Sequence, residues 1–434
     1  MKSEVIVRNN IITGSPKEMT ASKYNYRTVN TGVQLTAEEL NILNQALDEL
    51  MDEVSDNHLP FLGSEGQRKG LLHRSWHDLG KAMRRPRTCI YPGCADQSIP
   101  RSHTIQKAGP LSFIAEGFHV VAPGFASNSE GYSIARVGLN DASTFPGYCQ
   151  KHEAVFHEFE TTCEIKTERD VVLQVFRTIC REIAVKQIQI AQIRKVRETH
   201  DCLVSNKAMD KLKCRLGADF VKKHDLRNLT FDRVSKAQVG TLEVERELGE
   251  VLKGLETEFL PASALELDGR EDLLYHVSVA VQQPLFMCLS GIANFWIDDH
   301  GKRISVRTIL NVLPSPQQTL IVATTLAIHK CYLETYMHRM LGQMNGALIM
   351  VETWMVRGTD HWFMTPSEWE NIPESRQAKI LADMLDESFS IGEAYQTSVL
   401  DSVREQLLTL PEAKAEPPEI YQAEASKLID RVVM

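Results

Sequence analysis

The sequence lacks three features: a hydrophobic run of membrane-helix length, an apolar block at its start, and a glycine-rich phosphate loop. A membrane-spanning helix needs about 20 successive apolar residues, so no membrane association is predicted. The polar start, MKSEVIVRNNIITGSPKE, is unlike a secretory signal, and we therefore expect a cytoplasmic protein. Without a nucleotide-binding loop, neither an ATP nor a dinucleotide cofactor is expected.

The cysteines do not form the pattern of a disulfide framework. The chain has 434 residues and nine cysteines, an odd number, and most of them stand alone within helical patterns. Isolated cysteines of this kind are, by default, small buried hydrophobic residues. Three cysteines differ because they lie in short pairs with another metal-ligating residue.

The charge is unevenly distributed. The net charge is -9, yet residues 67–107 carry nine Lys/Arg against two Asp/Glu, and residues 171–236 carry fifteen against seven. Residues 237–434 carry fifteen basic and twenty-nine acidic residues. A polyanion such as nucleic acid would therefore meet the first half, and the acidic half could dock a protein partner. The alternative is that both basic stretches are solvated helix faces.

The order of patterns predicts an α+β fold. Thr36 and Glu39 form a capping box that opens an amphipathic helix, and a long amphipathic helix is predicted from Arg169 to about His200. YHVSVAV and TLIVATTL alternate as strands of an antiparallel sheet do. The predicted regions are a mobile arm (1–34), a helical lead-in (35–87), an irregular zinc-stapled ββα-like module (88–165), a helical middle (166–260), a C-terminal antiparallel sheet with covering helices (261–390) and a tail (391–434).

The irregular module contains two short ligand pairs. Cys89-Ile-Tyr-Pro-Gly-Cys94 is a tight knuckle, and Cys149-Gln-Lys-His152 is a second pair at a spacing used by zinc sites. Zinc favours four thiolate or imidazole ligands in a tetrahedron, which two local pairs satisfy with little strain. The sequence therefore predicts a structural zinc ion, the alternative being two unrelated turns that contain cysteine.

This segment resembles the HNH, or His-Me finger, nucleases. RSHTI follows the first knuckle and presents His103, while Glu153 and His157 follow the second knuckle. The resemblance implies that His103 is the general base and that Glu153 and His157 bind a catalytic divalent metal, Mg²⁺ or Mn²⁺. It also implies hydrolysis of phosphodiester bonds in nucleic acid. Four basic residues near the knuckle would contact phosphates: Arg84, Arg85, Arg87 and Arg101.

A wider resemblance covers residues 70–385. The series CIYPGC, RSHTIQK, ASTFPGYCQKHE and FWIDDHGKRI is similar to a group of uncharacterised bacterial HNH-like proteins. Proteins with such modules often act in defence against phage, which is an analogy from the fold. The resemblance supports the architecture more than an activity and gives no oligomeric state.

Two features favour a non-catalytic alternative. Ser102 stands where most HNH proteins have an acidic or histidine ligand, and Thr144 stands where they have a loop asparagine. Zinc would then only stabilise a surface that binds nucleic acid or protein.

On the long helix, Arg177, Glu182 and Lys186 are interpreted as a surface ion-pair ladder, the alternative being a phosphate contact beside the module.

Overall fold

The computed structural model describes residues 27–28, 36–56, 78–125, 131–163, 165–223, 229–230, 236–342, 345–386 and 390–409. Apart from residues 27–28, the predicted arm lies outside these ranges, as do residues 57–77 of the predicted helical lead-in and the tail beyond residue 409. The chain divides into two units, residues 1–78 with 189–249 and residues 79–188 with 250–434. The described helices are α1 (Ala37–Asp56), α2 (Ser112–Ile114), α3 (Gln150–Glu153), α4 (His157–Thr162), α5 (Glu168–Leu216), α6 (Ala218–Lys223), α7 (Lys236–Gly254), α8 (Leu260–Leu267), α9 (Lys330–Leu341), α10 (Gly346–Thr353), α11 (Pro366–Glu370), α12 (Glu374–Asp383) and α13 (Asp401–Thr409).

The predicted capping box at the start of α1 is confirmed. The backbone N–H of Glu39 donates to Thr36 Oγ1 at 3.2 Å, and Glu39 Oε2 accepts from the N–H of Thr36 at 2.9 Å. Two donors of the first turn are thereby satisfied reciprocally. Leu43 and Leu50 of the predicted apolar stripe are buried.

The long helix is longer than predicted. α5 contains 49 residues and ends at Leu216, whereas the predicted helix ends near His200. It begins at a second box, in which Asp170 Oδ2 accepts from the N–H of Thr167 at 2.9 Å. It ends before Gly217, which has a φ of +80°. Glycine is favoured in this left-handed conformation because it has no Cβ.

A seven-stranded antiparallel sheet forms the centre of the second unit, which confirms the α+β class. The described strands are β1 (Arg27–Thr28), β2 (Ser102–His103), β3 (His119–Phe125), β4 (Tyr132–Gly138), β5 (Thr144–Phe145), β6 (Leu229–Thr230), β7 (Leu274–Val281), β8 (Met287–Asp299), β9 (Lys302–Pro314), β10 (Thr319–Leu326) and β11 (Trp362–Met364). The order of strands in the sheet is β4-β3-β11-β8-β9-β10-β7. The short β11 joins two parts of the chain, because Met364 pairs with Val121 of β3 and with Met287 of β8. Strands of the irregular segment thus belong to the same sheet as the C-terminal strands.

The residues Thr365-Pro366-Ser367-Glu368 predict a second capped helix start, and this prediction is wrong. Thr365 precedes α11, but its hydroxyl donates to the carbonyl of Ile114 at 2.8 Å, and it makes no cap to the helix. Glu368, the expected reciprocal partner, accepts a hydrogen bond from Ser402 instead. Tertiary partners therefore replace the local motif.

None of the helices in the described ranges has the length and apolar character of a membrane span.

Candidate metal centre and the adjoining buried arginine

The two predicted ligand pairs converge into one cluster. The ligand atoms of Cys89, Cys94, Cys149 and His152 all lie within 4.8 Å of one another. His152 Nδ1 is 3.5 Å from Cys89 Sγ and 3.3 Å from Cys149 Sγ, and Cys94 Sγ is 3.9 Å from Cys149 Sγ. Ligands around a tetrahedral zinc ion are separated by about 3.5 to 3.8 Å. The cluster could hold a metal ion, and its donor set fits zinc.

Backbone hydrogen bonds explain how the two ligands of each pair come together within a few residues. The N–H of Cys94 donates to the carbonyl of Tyr91 at 3.1 Å, and Gly93 adopts a φ of +77°, which closes the first knuckle. In the second pair, the N–H of His152 donates to the carbonyl of Cys149 at 3.0 Å as α3 begins. A hydrogen bond from Ile90 N–H to the Gly147 carbonyl, 2.9 Å long, joins the two knuckles.

Aromatic packing fixes the cluster. The ring of Tyr91 stacks on that of His152 with centroids 4.0 Å apart and planes 2° from parallel.

Burial raises the pKa of the Cys89 thiol to about 11, whereas a backbone hydrogen bond from His152 lowers the pKa of Cys149. Because metals bind thiolates, cation binding at this site would release protons. Cys89 and Cys149 also pack in one core with Phe176 of α5.

His103 is held in a defined orientation beside this module. β2 pairs antiparallel with β5, and His103 lies opposite Thr144. Its Nδ1 donates to the carbonyl of Ala142 at 3.0 Å, so Nε2 is the unprotonated nitrogen of the neutral ring. Burial and the nearby Arg177 guanidinium lower the pKa of His103 to about 4. The half-buried imidazole is therefore neutral at pH 7 and able to accept a proton.

Glu153 and His157 occupy different environments. Glu153 Oε1 is 3.6 Å from Arg177 Nη2, and its Oε2 is buried without a hydrogen-bond partner among the described residues. Burial raises the pKa of Glu153, and Arg177 opposes that shift. His157 is 73% exposed, and its Nδ1 is 3.8 Å from Glu160 Oε2. Within the described ranges, the Cys/His cluster is the one group of three or more possible ligands that converges.

The interpretation of Arg177 as part of a surface ion-pair ladder is wrong. Its side chain is 0% exposed, and Nη2 donates to Glu160 Oε1 at 2.6 Å. The guanidinium lies 4.2 Å from the ring centroid of Phe156 and 5.1 Å from that of Phe159. Its Nε and Nη1 have no hydrogen-bond partner among the described residues. Glu182, another member of the supposed ladder, is also buried.

Sequence patterns could not identify this arginine as buried. Its two acidic neighbours precede it by 17 and 24 residues and lie on separate helical turns. The sequence does contain one indication of an apolar face, in the segment VFHEF. Phe156 and Phe159 are three residues apart, with the exposed His157 between them in sequence, and this spacing places both rings on one side of a helix.

The four arginines that were predicted to contact phosphate differ in exposure and in their partners. Arg84 and Arg85 are exposed just before the first knuckle, and Arg87 is half-buried. Burial lowers the pKa of Arg87. Arg101 is exposed and forms a salt bridge of 3.1 Å with Asp141.

Comparison with protein-family models, curated proteins and solved structures gives no match to this chain. The fold and the site therefore define it as an α+β protein with a Cys₃His cluster that could hold a metal ion.

Proposed function

We propose that this protein is a metal-dependent, HNH-like nuclease that hydrolyses phosphodiester bonds in nucleic acid. The observation that carries the proposal is the oriented His103, whose Nδ1 donates to a backbone carbonyl and whose Nε2 is free to take a proton from water. His103 belongs to the short β2–β5 pair that leads directly into Cys149, so the metal cluster would hold the base in place.

The Cys₃His donor set supports zinc as the structural ion, because thiolate and imidazole ligands suit zinc far better than magnesium. A catalytic Mg²⁺ or Mn²⁺ would need oxygen ligands, and the buried, unpartnered Glu153 Oε2 fits that need. His157 would be the second protein ligand, and phosphate oxygens would complete the shell. Such an ion would neutralise charge that develops on the phosphate.

Substituting His103 by alanine tests the proposal. The variant is expected to lose at least about 100-fold in the cleavage rate of plasmid or oligonucleotide substrates, because general base catalysis contributes roughly 10²–10⁴-fold. Elemental analysis should show the same zinc content as the wild type. His329→Ala is the matched control, since His329 is also half-buried with a pKa lowered by burial. Wild-type rates in the His103 variant would contradict the assignment.

The pH dependence of cleavage follows from the same residue. Burial lowers the pKa of His103 from its ordinary value of 6.5 to about 4. The imidazole therefore stays unprotonated at pH values well below 6.5. The acid limb of kcat/KM is therefore expected below pH 6. A limb centred between pH 6 and 7 would indicate an ordinary, solvated histidine and contradict this role.

One observation favours the alternative, a non-catalytic zinc-stabilised module that binds nucleic acid or protein. Arg177 already supplies a buried positive charge to Glu153 and Glu160, the place where a divalent ion would act. Salt-sensitive binding of nucleic acid without turnover in Mg²⁺, Mn²⁺ or Ni²⁺ would select this function over the nuclease.

A further inference from the structure

A tight turn precedes β3 and places an aromatic ring in solvent. Glu116 and His119 exchange two backbone hydrogen bonds of 2.9 and 3.0 Å, so Gly117 and Phe118 form a two-residue turn. Both central residues have positive φ, +55° and +62°. This is the geometry of a type I′ turn, for which glycine, asparagine and aspartate are the favoured residues.

Phe118 is unusual in this turn. It is 81% exposed, although large apolar side chains are ordinarily packed. It also occupies the left-handed backbone region, which is unfavourable for a bulky residue that has no local hydrogen bond to offer. Neither the packing of the ring nor the backbone of the turn accounts for phenylalanine at this position. Strained backbone is concentrated at binding and active sites, which makes Phe118 a candidate for contact with a ligand.

The turn is continuous with the loop that orients His103. The N–H of Leu139 donates to the carbonyl of Phe118 at 3.0 Å. Three residues later, the carbonyl of Ala142 accepts the hydrogen bond from His103 Nδ1. Residues 138–143 therefore bond both to the backbone of Phe118 and to the candidate base.

Two cationic side chains lie close to this turn and to the loop of residues 138–143. The Arg136 guanidinium lies beside the turn, because its Nη2 would be 3.9 Å from a Cβ placed on Gly117. Lys107 Nζ donates to Asn140 Oδ1 at 2.5 Å, on the same loop. The nearby carboxylates are engaged: Glu116 accepts from the N–H of Ser367 at 3.0 Å, and Asp141 pairs with Arg101. Proteins that bind unpaired nucleotides combine exposed aromatic rings with nearby cationic groups, and this surface offers both.

We propose that Phe118 stacks on an unpaired nucleobase next to His103, so that the substrate is single-stranded nucleic acid or contains unpaired nucleotides. This inference rests on the proposed nuclease function and names its substrate class. Stacking on one aromatic residue raises affinity about 5- to 150-fold per base. Unstacking a base from a duplex opposes binding by a similar or larger factor, so one ring favours bases that are already unpaired.

The test is binding of a fluorescein-labelled 20-nucleotide single strand, as DNA and as RNA, and of the matched DNA duplex, without added Mg²⁺ or Mn²⁺. Phe118→Gly is expected to weaken single-strand binding by at least about fivefold, and duplex binding by less than about twofold. Phe118→Trp, which keeps a stacking ring, should bind within about twofold of the wild type. Ile328→Ala is the matched control, because Ile328 is an apolar residue that is 78% exposed elsewhere in the same unit.

Thermal unfolding separates binding from misfolding. Glycine adopts positive φ without strain, so Phe118→Gly is expected to keep or raise the Tm while affinity falls. Unchanged single-strand affinity in this variant, together with cleavage that depends on His103, overturns the stacking role and leaves the nuclease proposal standing. Equal losses in Ile328→Ala also overturn it. Absence of nucleic-acid binding by the wild type overturns both proposals.

Discussion

Replacing Cys149 by serine is expected to abolish stoichiometric zinc binding and to lower the free energy of unfolding by about 5 kcal/mol or more. Structural zinc contributes on the order of 10 kcal/mol in small metal-dependent modules, and serine is a poor ligand for zinc at neutral pH. Cys149 lies 3.3 Å from His152 Nδ1 and 3.9 Å from Cys94 Sγ, so its loss removes a ligand that contacts both pairs. Elemental analysis and thermal unfolding, with and without a chelator, measure the two effects.

Cys288→Ala is the control for this experiment. Cys288 is a buried cysteine in a different apolar cluster, and its substitution should cost about 1 kcal/mol and retain the metal. A chelator should destabilise the wild type and this control equally, and it should have little effect on Cys149→Ser. One equivalent of tightly bound zinc in purified Cys149→Ser would refute the assignment of Cys149 as a ligand.

Replacing Arg177 by methionine is expected to lower the free energy of unfolding by about 3 kcal/mol. Removing one partner of a buried ion pair typically costs about 3–5 kcal/mol, because the other charge stays buried without compensation. The side chains of Glu153 and Glu160 are 19% and 27% exposed, which places the expected cost at the lower end of that range. Urea denaturation followed by circular dichroism gives the value.

Arg194→Met provides a matched comparison on the same helix. Arg194 also pairs with a glutamate, at 2.6 Å, but its side chain is 59% exposed, so its loss should cost only about 0.5 kcal/mol. The double variant Arg177→Met/Glu160→Gln should be more stable than the sum of the single changes predicts, by about 1 kcal/mol or more. Equal effects of the two arginine substitutions would show that burial of Arg177 contributes nothing.

The sequence predicted those parts of the molecule that depend on neighbouring residues. Two ligand pairs closed by tight turns, a capping box at Thr36 and alternating strands can each be recognised within a few residues. The convergence of Cys89 and Cys94 on Cys149 followed from the ligand number that zinc requires.

What escaped prediction depends on distant partners. Thr365 has the residues of a local cap, but its hydroxyl bonds to Ile114, which is 251 positions away. Arg177 carries no mark of burial in its own helix, because the residues that neutralise it precede the helix. Periodicity places a side chain on a helix face, and it does not say which other segment covers that face.

The pairing of Met364 with both Val121 and Met287 has a consequence for synthesis of the chain. Strand β3 leaves the ribosome long before β11, and at roughly 5–20 residues per second the delay is about 10 to 50 s. During that interval the edge of β3 that β11 will cover is open to other strands. The Cys/His cluster within residues 89–152 could hold a metal ion in the meantime, and early metal loading would then hold the nascent segment until its last sheet partner is synthesised.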